Sequence, residues 1–102
     1  MRYKNANIFV DDHFILGSFT VENGVFTEIS EDTTSAGEDL AGAYVIPGLI
    51  DIHNHGNSGA DFSDGDGEGL QRMARYLAQN GVTSFAPASM TLPYDVLARA
   101  FA

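Results

Sequence analysis

Apolar residues in the first 46 positions come in short kernels, Ile8-Phe9-Val10, Phe14-Ile15-Leu16, Phe19-Thr20-Val21 and Val25-Phe26, separated by polar and turn-forming residues. Kernels of this length and spacing predict short strands. Asn23-Gly24 lies between two of them, and that dipeptide is the strongest short-range signal for a hairpin, because its residues accept the positive φ angles of a two-residue turn. A small antiparallel unit is expected. Residues 30–39, rich in Glu, Asp, Thr, Ser and Gly without apolar periodicity, predict an exposed loop.

The pattern changes across residues 43–53. Pro47-Gly48 punctuates it, and Leu49-Ile50-Asp51-Ile52 is a short apolar run of the kind that forms a strand buried on both faces. A Gly-, Asp- and Ser-rich stretch follows from 56 to 69, long for a loop and therefore of functional interest. Leu70, Met73, Ala74 and Leu77 then fall at helical spacing, with Asn80-Gly81 as the stop signal. Val82-Thr83-Ser84-Phe85-Ala86 predicts a strand, and Thr91 and Pro93 open a second helical stretch through Val96, Leu97 and Phe101, which the pattern leaves unfinished. Strand, helix, strand, helix in this order implies parallel strands with helical crossovers, as in a (β/α) barrel or an open doubly wound sheet. A complete barrel takes about 250 residues, so 102 residues hold at most its first two units. The expected fold class is α/β, with residues 1–46 forming a small β-rich unit and residues 47–102 two β/α units.

Composition narrows the chemistry. The chain is 44% hydrophobic and 19% charged, with seven Phe and four Tyr to supply buried surface. It has no Cys, which removes disulfides, thiolate ligands and a cysteine nucleophile, so a metal here must be held by His, Asp, Glu or Asn. A formal net charge of -9, with five scattered Lys and Arg, argues against nucleic acid as a partner. The same scarcity of cations means that a phosphorylated substrate would find most of its phosphate clamp elsewhere. No apolar run of about 18 residues and no signal-peptide pattern are present, so no membrane association and a cytoplasmic location are expected.

The residues that carry chemistry are His53 and His55, with Asp51 upstream. Residues i and i+2 of a strand project from one face, so two imidazoles point the same way. A His-X-His without context is more often a pair of surface histidines. Here it closes an apolar strand after Pro-Gly and runs into a Gly-rich loop, and the carboxyl ends of barrel strands are where such enzymes build their sites. Neutral imidazole is a common ligand for zinc and iron. Asp51 shares their parity one layer deeper, where a carboxylate needs partners. His13 reads as a turn residue, and Asp61, Asp64 and Asp66 as a solvated loop, since the closing Glu of a calcium-binding hand is lacking. Met73 and Tyr76 read as helix core.

The run Pro47-Gly48-Leu49-Ile50-Asp51-Ile52-His53-Asn54-His55 closely resembles the first-strand signature of the amidohydrolase superfamily. Within it, residues 55–64 and Gly81-Val82-Thr83-Ser84-Phe85-Ala86-Pro87 together resemble the N-acetylglucosamine-6-phosphate deacetylases. Ala88-Ser89-Met90-Thr91 departs from that family's usual Pro-Thr at this place. The resemblance implies an amino-terminal piece of a metal-dependent (β/α)8 TIM barrel, preceded by part of a small β-sandwich. It implies that His53 and His55 ligate divalent metal, zinc or iron, with one or two ions in a full site. Some family members replace these histidines by Gln and Asn and work with a single metal, whereas this sequence keeps both. The family's remaining ligands, a Glu and two later His, and its general acid-base Asp have no counterpart here, so these residues alone are expected to be inactive. The implied reaction is deacetylation of N-acetylglucosamine 6-phosphate, an amino sugar phosphate, to glucosamine 6-phosphate and acetate. Two alternatives stand beside it: a cyclic-amide hydrolase of the dihydroorotase type, against which Asn57 counts because an Arg is usual there, and a folded piece with no catalysis of its own. Homo-oligomerisation or self-association is expected from unpaired barrel strands.

Overall fold

The computed structural model describes all of residues 1–102, and the chain divides into two compact units, Met1–Pro47 and Gly48–Ala102. The first is a single sheet. Strands β1 (Arg2–Val10), β2 (His13–Glu22) and β3 (Val25–Ser30) form an antiparallel meander. Two short strands, β4 (Glu38–Asp39) and β5 (Tyr44–Val45), then pair in parallel with the free edge of β1. Both hairpins turn through two residues of positive φ, Asp11 (48°) with Asp12 (63°), and Asn23 (51°) with Gly24 (80°). That left-handed pair matches the twist of the flanking strands, as Asn-Gly predicts.

Alternation along these strands decides what is buried. Ala6, Ile8 and Phe19 form the core, with Tyr3, Val10, Ile15, Val21, Leu40 and Val45 packed against them. The opposite face carries Phe9, Phe14 and Tyr44, joined edge to face at centroid distances of 5.2 and 5.0 Å. Aromatic pairs in this geometry stabilise a sheet beyond the area they cover. A bulge between Tyr3 and Ala6 interrupts β1. There Asn5 (φ 54°) sends its amide to the Asp39 carboxylate at 3.0 Å, which also accepts the Ala41 N–H at 2.8 Å. These two bonds tie β4 to the bulge and hold the Asp39 carboxyl below the usual carboxylate range, the Ala41 N–H contributing most.

Three expectations change here. The kernels Phe14-Ile15-Leu16 and Phe19-Thr20-Val21 belong to one ten-residue strand, because β1 stays paired with it along its length. Residues 30–39 are not wholly a loop, since Glu38–Asp39 joins the sheet. His13 opens β2 instead of lying in the turn, its exposed ring donating from Nδ1 to the Asp11 carbonyl at 2.9 Å.

The second unit begins with β6 (Leu49–Asn54), followed by a small hairpin of β7 (Gly56–Asn57) and β8 (Ala60–Asp61), and a single 3-10 turn at Phe62–Asp64. Helix α1 (Gly67–Gln79), strand β9 (Val82–Pro87) and helix α2 (Tyr94–Ala100) complete it. Strand β9 pairs in parallel with β6, so β6–α1–β9 is one crossover unit. Gly48 stands where a Cβ would collide with the Thr83 side chain, which explains why Pro-Gly rather than a bulkier pair introduces β6. Helix α1 buries Gly69, Met73 and Leu77, spaced by four along one stripe. Its end is fixed by Asn80, whose amide donates to the Tyr76 carbonyl at 2.8 Å while the Gly81 N–H returns to Ala78 at 3.1 Å.

The acidic segment is more ordered than its composition predicts. Asp61 caps the 3-10 turn by accepting the Ser63 N–H at 2.7 Å, and Asp64 reaches back to the Asp61 N–H at 3.0 Å. Asp66 caps α1 through the Glu68 N–H at 3.0 Å. These carboxylates serve local structure, since each satisfies a helix-start donor that has no partner within the helix. Tyr76 is half exposed instead of buried in the core, and α2 stops at Ala100, with Phe101 as its cap. The apolar residues of β6 also depart from expectation: Leu49, Ile50 and Ile52 are 52%, 69% and 81% exposed. A parallel pair offers each strand one neighbour and one helix, too little to cover both faces.

Candidate metal centre

His53 is the second-to-last residue of β6, and His55 is the first residue beyond it. Two residues apart along a flat strand, Cα atoms are separated by about 6.7 Å, and parallel rings would keep that spacing. These rings instead lean together edge to face, 4.7 Å between centroids and 81° between planes. Their Nε2 atoms come within 3.0 Å. With one ring protonated at Nε2, that nitrogen donates to the lone pair of the other. With both lone pairs free, the two nitrogens converge on one point, and a tetrahedral ion with metal–nitrogen bonds of about 2.0–2.1 Å holds its ligand atoms roughly 3.3 Å apart. The observed separation is close to that value, so the pair fits two positions of a divalent cation.

Asp51 lies half-buried beneath them. Its carboxylate accepts the Asn54 side-chain amide at 2.8 Å and the His53 backbone N–H at 3.1 Å. The Asn54 amide first, then the His53 N–H, hold the Asp51 carboxyl below the usual carboxylate range. The strand end is polar and incompletely paired: Asn54 Oδ1, His55 Nδ1 and both amide atoms of Asn57 are buried without a hydrogen-bond partner. A metal-ligating imidazole normally donates its second nitrogen to an acceptor.

Of the residues that the sequence brings forward, the structure joins His53, His55 and Asp51. It leaves His13 apart, and it gives Asp61, Asp64 and Asp66 capping roles. Nowhere in the chain do three or more His, Asp or Glu side chains gather as a complete ligand set. Sequence reasoning missed Asn54, although an acceptor followed at i+3 by an amide is a pattern that short polar side chains use to bond locally.

No family model matches the chain. Among curated proteins it is 36% identical over 84 residues to the N-acetylglucosamine-6-phosphate deacetylase of Vibrio furnissii, covering 79% of this chain and 21% of that protein. It is 31% identical over 88 residues to the N-acetylgalactosamine-6-phosphate deacetylase of Escherichia coli O157:H7, covering 86% of this chain and 22% of the relative. Its fold matches the crystal structure of N-acetylglucosamine-6-phosphate deacetylase from Thermotoga maritima with a TM-score of 0.79 at 21% identity, over 98% of this chain and 26% of that one. The chain therefore spans about a fifth of the length of these two curated relatives.

Proposed function

Because the chain is a sequence relative of the N-acetylglucosamine-6-phosphate deacetylases, we propose that it carries the first ligand pair of such an enzyme. The reaction is hydrolysis of the acetamido group of N-acetylglucosamine 6-phosphate to glucosamine 6-phosphate and acetate. The observation that carries this reading is the 3.0 Å approach of the His53 and His55 Nε2 atoms at the end of a parallel strand. On this reading unit Gly48–Ala102 supplies the first two β/α units of a (β/α)8 barrel, and the sheet of Met1–Pro47 is part of a small β-sandwich.

His53 and His55 would hold a divalent ion, zinc or iron, through Nε2. When bound, such an ion supplies Lewis acidity, polarising an amide carbonyl and making water more acidic. The imidazoles act as ligands in this scheme and move no proton. Two nitrogens leave a tetrahedral ion two donors short, and no further acid cluster stands beside them. On this reading the remaining ligands, the proton-transferring acid and most of the phosphate clamp would come from residues outside these 102.

The sugar is the point where a second reading competes, since the Escherichia coli relative is named for the galactosamine epimer. Both readings share the metal pair and the bond broken. In a protein carrying this chain with its centre complete, acetate release from the two 6-phosphates, measured side by side, chooses between them. In that protein His53→Ala or His55→Ala should lower bound metal and deacetylation together, by at least the roughly 10- to 100-fold typical of lesser changes around a metal. Unchanged metal content in both variants would remove the ligand assignment. The 102-residue chain alone, loaded with zinc, should give no turnover, and turnover there would show that the centre needs fewer groups than argued.

A further inference from the structure

The convergence of the two imidazoles is not what a regular strand produces, and its cause lies beneath them. The β6–β9 ladder slips once at its start, where Leu49 faces Val82 and Ile50 faces Ser84, runs in step from Ile50 to Asp51 opposite Phe85, then resumes at Asn54 opposite Pro87. Three residues advance on β6 against two on β9, so β6 carries one extra residue, a bulge that contains His53. Bulges bend a strand and re-aim a side chain. The His53 N–H, withdrawn from the ladder, is taken by Asp51 Oδ1 at 3.1 Å. The other oxygen, Oδ2, takes the Asn54 side-chain amide at 2.8 Å. On its far side Asn54 is pinned just past the end of β9, its carbonyl accepting the Ala88 N–H at 2.9 Å.

We propose that Asp51 and Asn54 are positioning residues that clamp the bulge from both ends and so set the approach of the His53 and His55 rings. The carboxylate is the one side chain of this size with two acceptor oxygens and no donor, which suits it to hold a backbone N–H and an amide together. Without the clamp the bulge is free to relax, and the rings return toward the wider spacing of a flat strand. The consequence for metal binding rests on the ligand reading given above; the effect on the rings themselves does not.

Three variants of the 102-residue chain test this. Asp51→Ala removes both bonds. Asn54→Asp places two carboxylates face to face at the same contact. Combining Asn54→Asp with Asp51→Asn exchanges donor and acceptor: the new amide at 51 accepts the His53 N–H through its oxygen and donates to the new carboxylate at 54. The first readout is metal-free: the cross-relaxation between the His53 and His55 ring protons and the 15N shifts of their Nε2 atoms. The second is Co2+ affinity from its visible absorption.

Asp51→Ala and Asn54→Asp should each lose the inter-ring cross-peak and weaken Co2+ binding roughly 10- to 100-fold, the range for partners that orient metal ligands. The double variant should regain the cross-peak and most of the affinity lost by Asn54→Asp. Retention of the cross-peak in Asp51→Ala, or a double variant no better than Asn54→Asp alone, overturns the clamp. An unstable Asp51→Ala chain leaves the exchange pair to decide. If the unaltered chain shows the cross-peak but takes up no Co2+, two imidazoles alone are too few to hold the ion, and the metal-free signal by itself judges the clamp.

Discussion

The two units solve the same problem with unequal success. In Met1–Pro47, hairpins bring each strand its neighbour within a few residues, and one face closes over Ala6, Ile8 and Phe19. In Gly48–Ala102, β6 meets β9 only after a 13-residue helix, and the pair leaves Ile50 and Ile52 largely exposed while burial concentrates in α1 at Met73 and Leu77. An antiparallel meander can be dry on one face and wet on the other; parallel strands are at home only when covered on both. The difference leaves apolar side chains of β6 in water, whereas the meander covers those on its inner face.

The comparison breaks most visibly through core substitutions. Ile8→Ala should destabilise the first unit by about 2–5 kcal/mol, because Ile8 is buried in its only core cluster, and should leave the α1 helix signal in place. Met73→Ala should reverse the pattern at similar cost, melting α1 while the meander amides keep their hydrogen-exchange protection. Simultaneous loss of both units in either variant would show that they fold as one.

A smaller effect sharpens the contrast. Ile52→Lys in the 102-residue chain should change stability by no more than about 0.5 kcal/mol, as expected for an exposed position. The same variant should reduce self-association, because unpaired strand edges beside apolar side chains recruit partners. Sedimentation at rising concentration checks this: a chain that is monomeric throughout, before and after substitution, would mean that these surfaces tolerate water.

The smallest effect is on acid stability, and each unit has its own reporter. Asp39 in the first and Asp51 in the second are held below the ordinary carboxylate range, so the unfolded chain binds more protons than the folded one when these groups titrate. Their contribution is complete above the unfolded value near 4 and is lost as pH falls through the lower folded value. Asp39→Asn should flatten the acid limb for β4 protection only, and Asp51→Asn that for β6 only. Carboxyl 13C shifts followed from pH 6 downward read both.

How much of this was legible in the sequence differs between elements for physical reasons. Asn23-Gly24 announced its hairpin because two consecutive left-handed residues admit few alternatives, whereas Asp11-Asp12 makes the same turn without glycine and left no comparable signal. Helix α1 was legible from its stripe and its stop. The short strands β4 and β5 were not, since two residues carry no periodicity and are strands only because the edge of β1 accepts them. At the site, the common face of His53 and His55 followed from period two, but their close approach did not. It depends on a bulge, and a bulge is a property of two strands together.

Strand β1 has a further consequence, in time. Its antiparallel partner β2 arrives through a two-residue turn, so that hairpin can close within about 1–10 μs. Its other edge waits for Glu38–Asp39 and Tyr44–Val45, whose return requires closing loops of some tens of residues and comes later on entropic grounds. During synthesis the first unit therefore spends an interval as a three-stranded meander with one open edge on β1. That edge is closed only when the segment leading into Pro47 emerges, so the residues that finish the first sheet are the last to appear before the strand that carries His53 and His55.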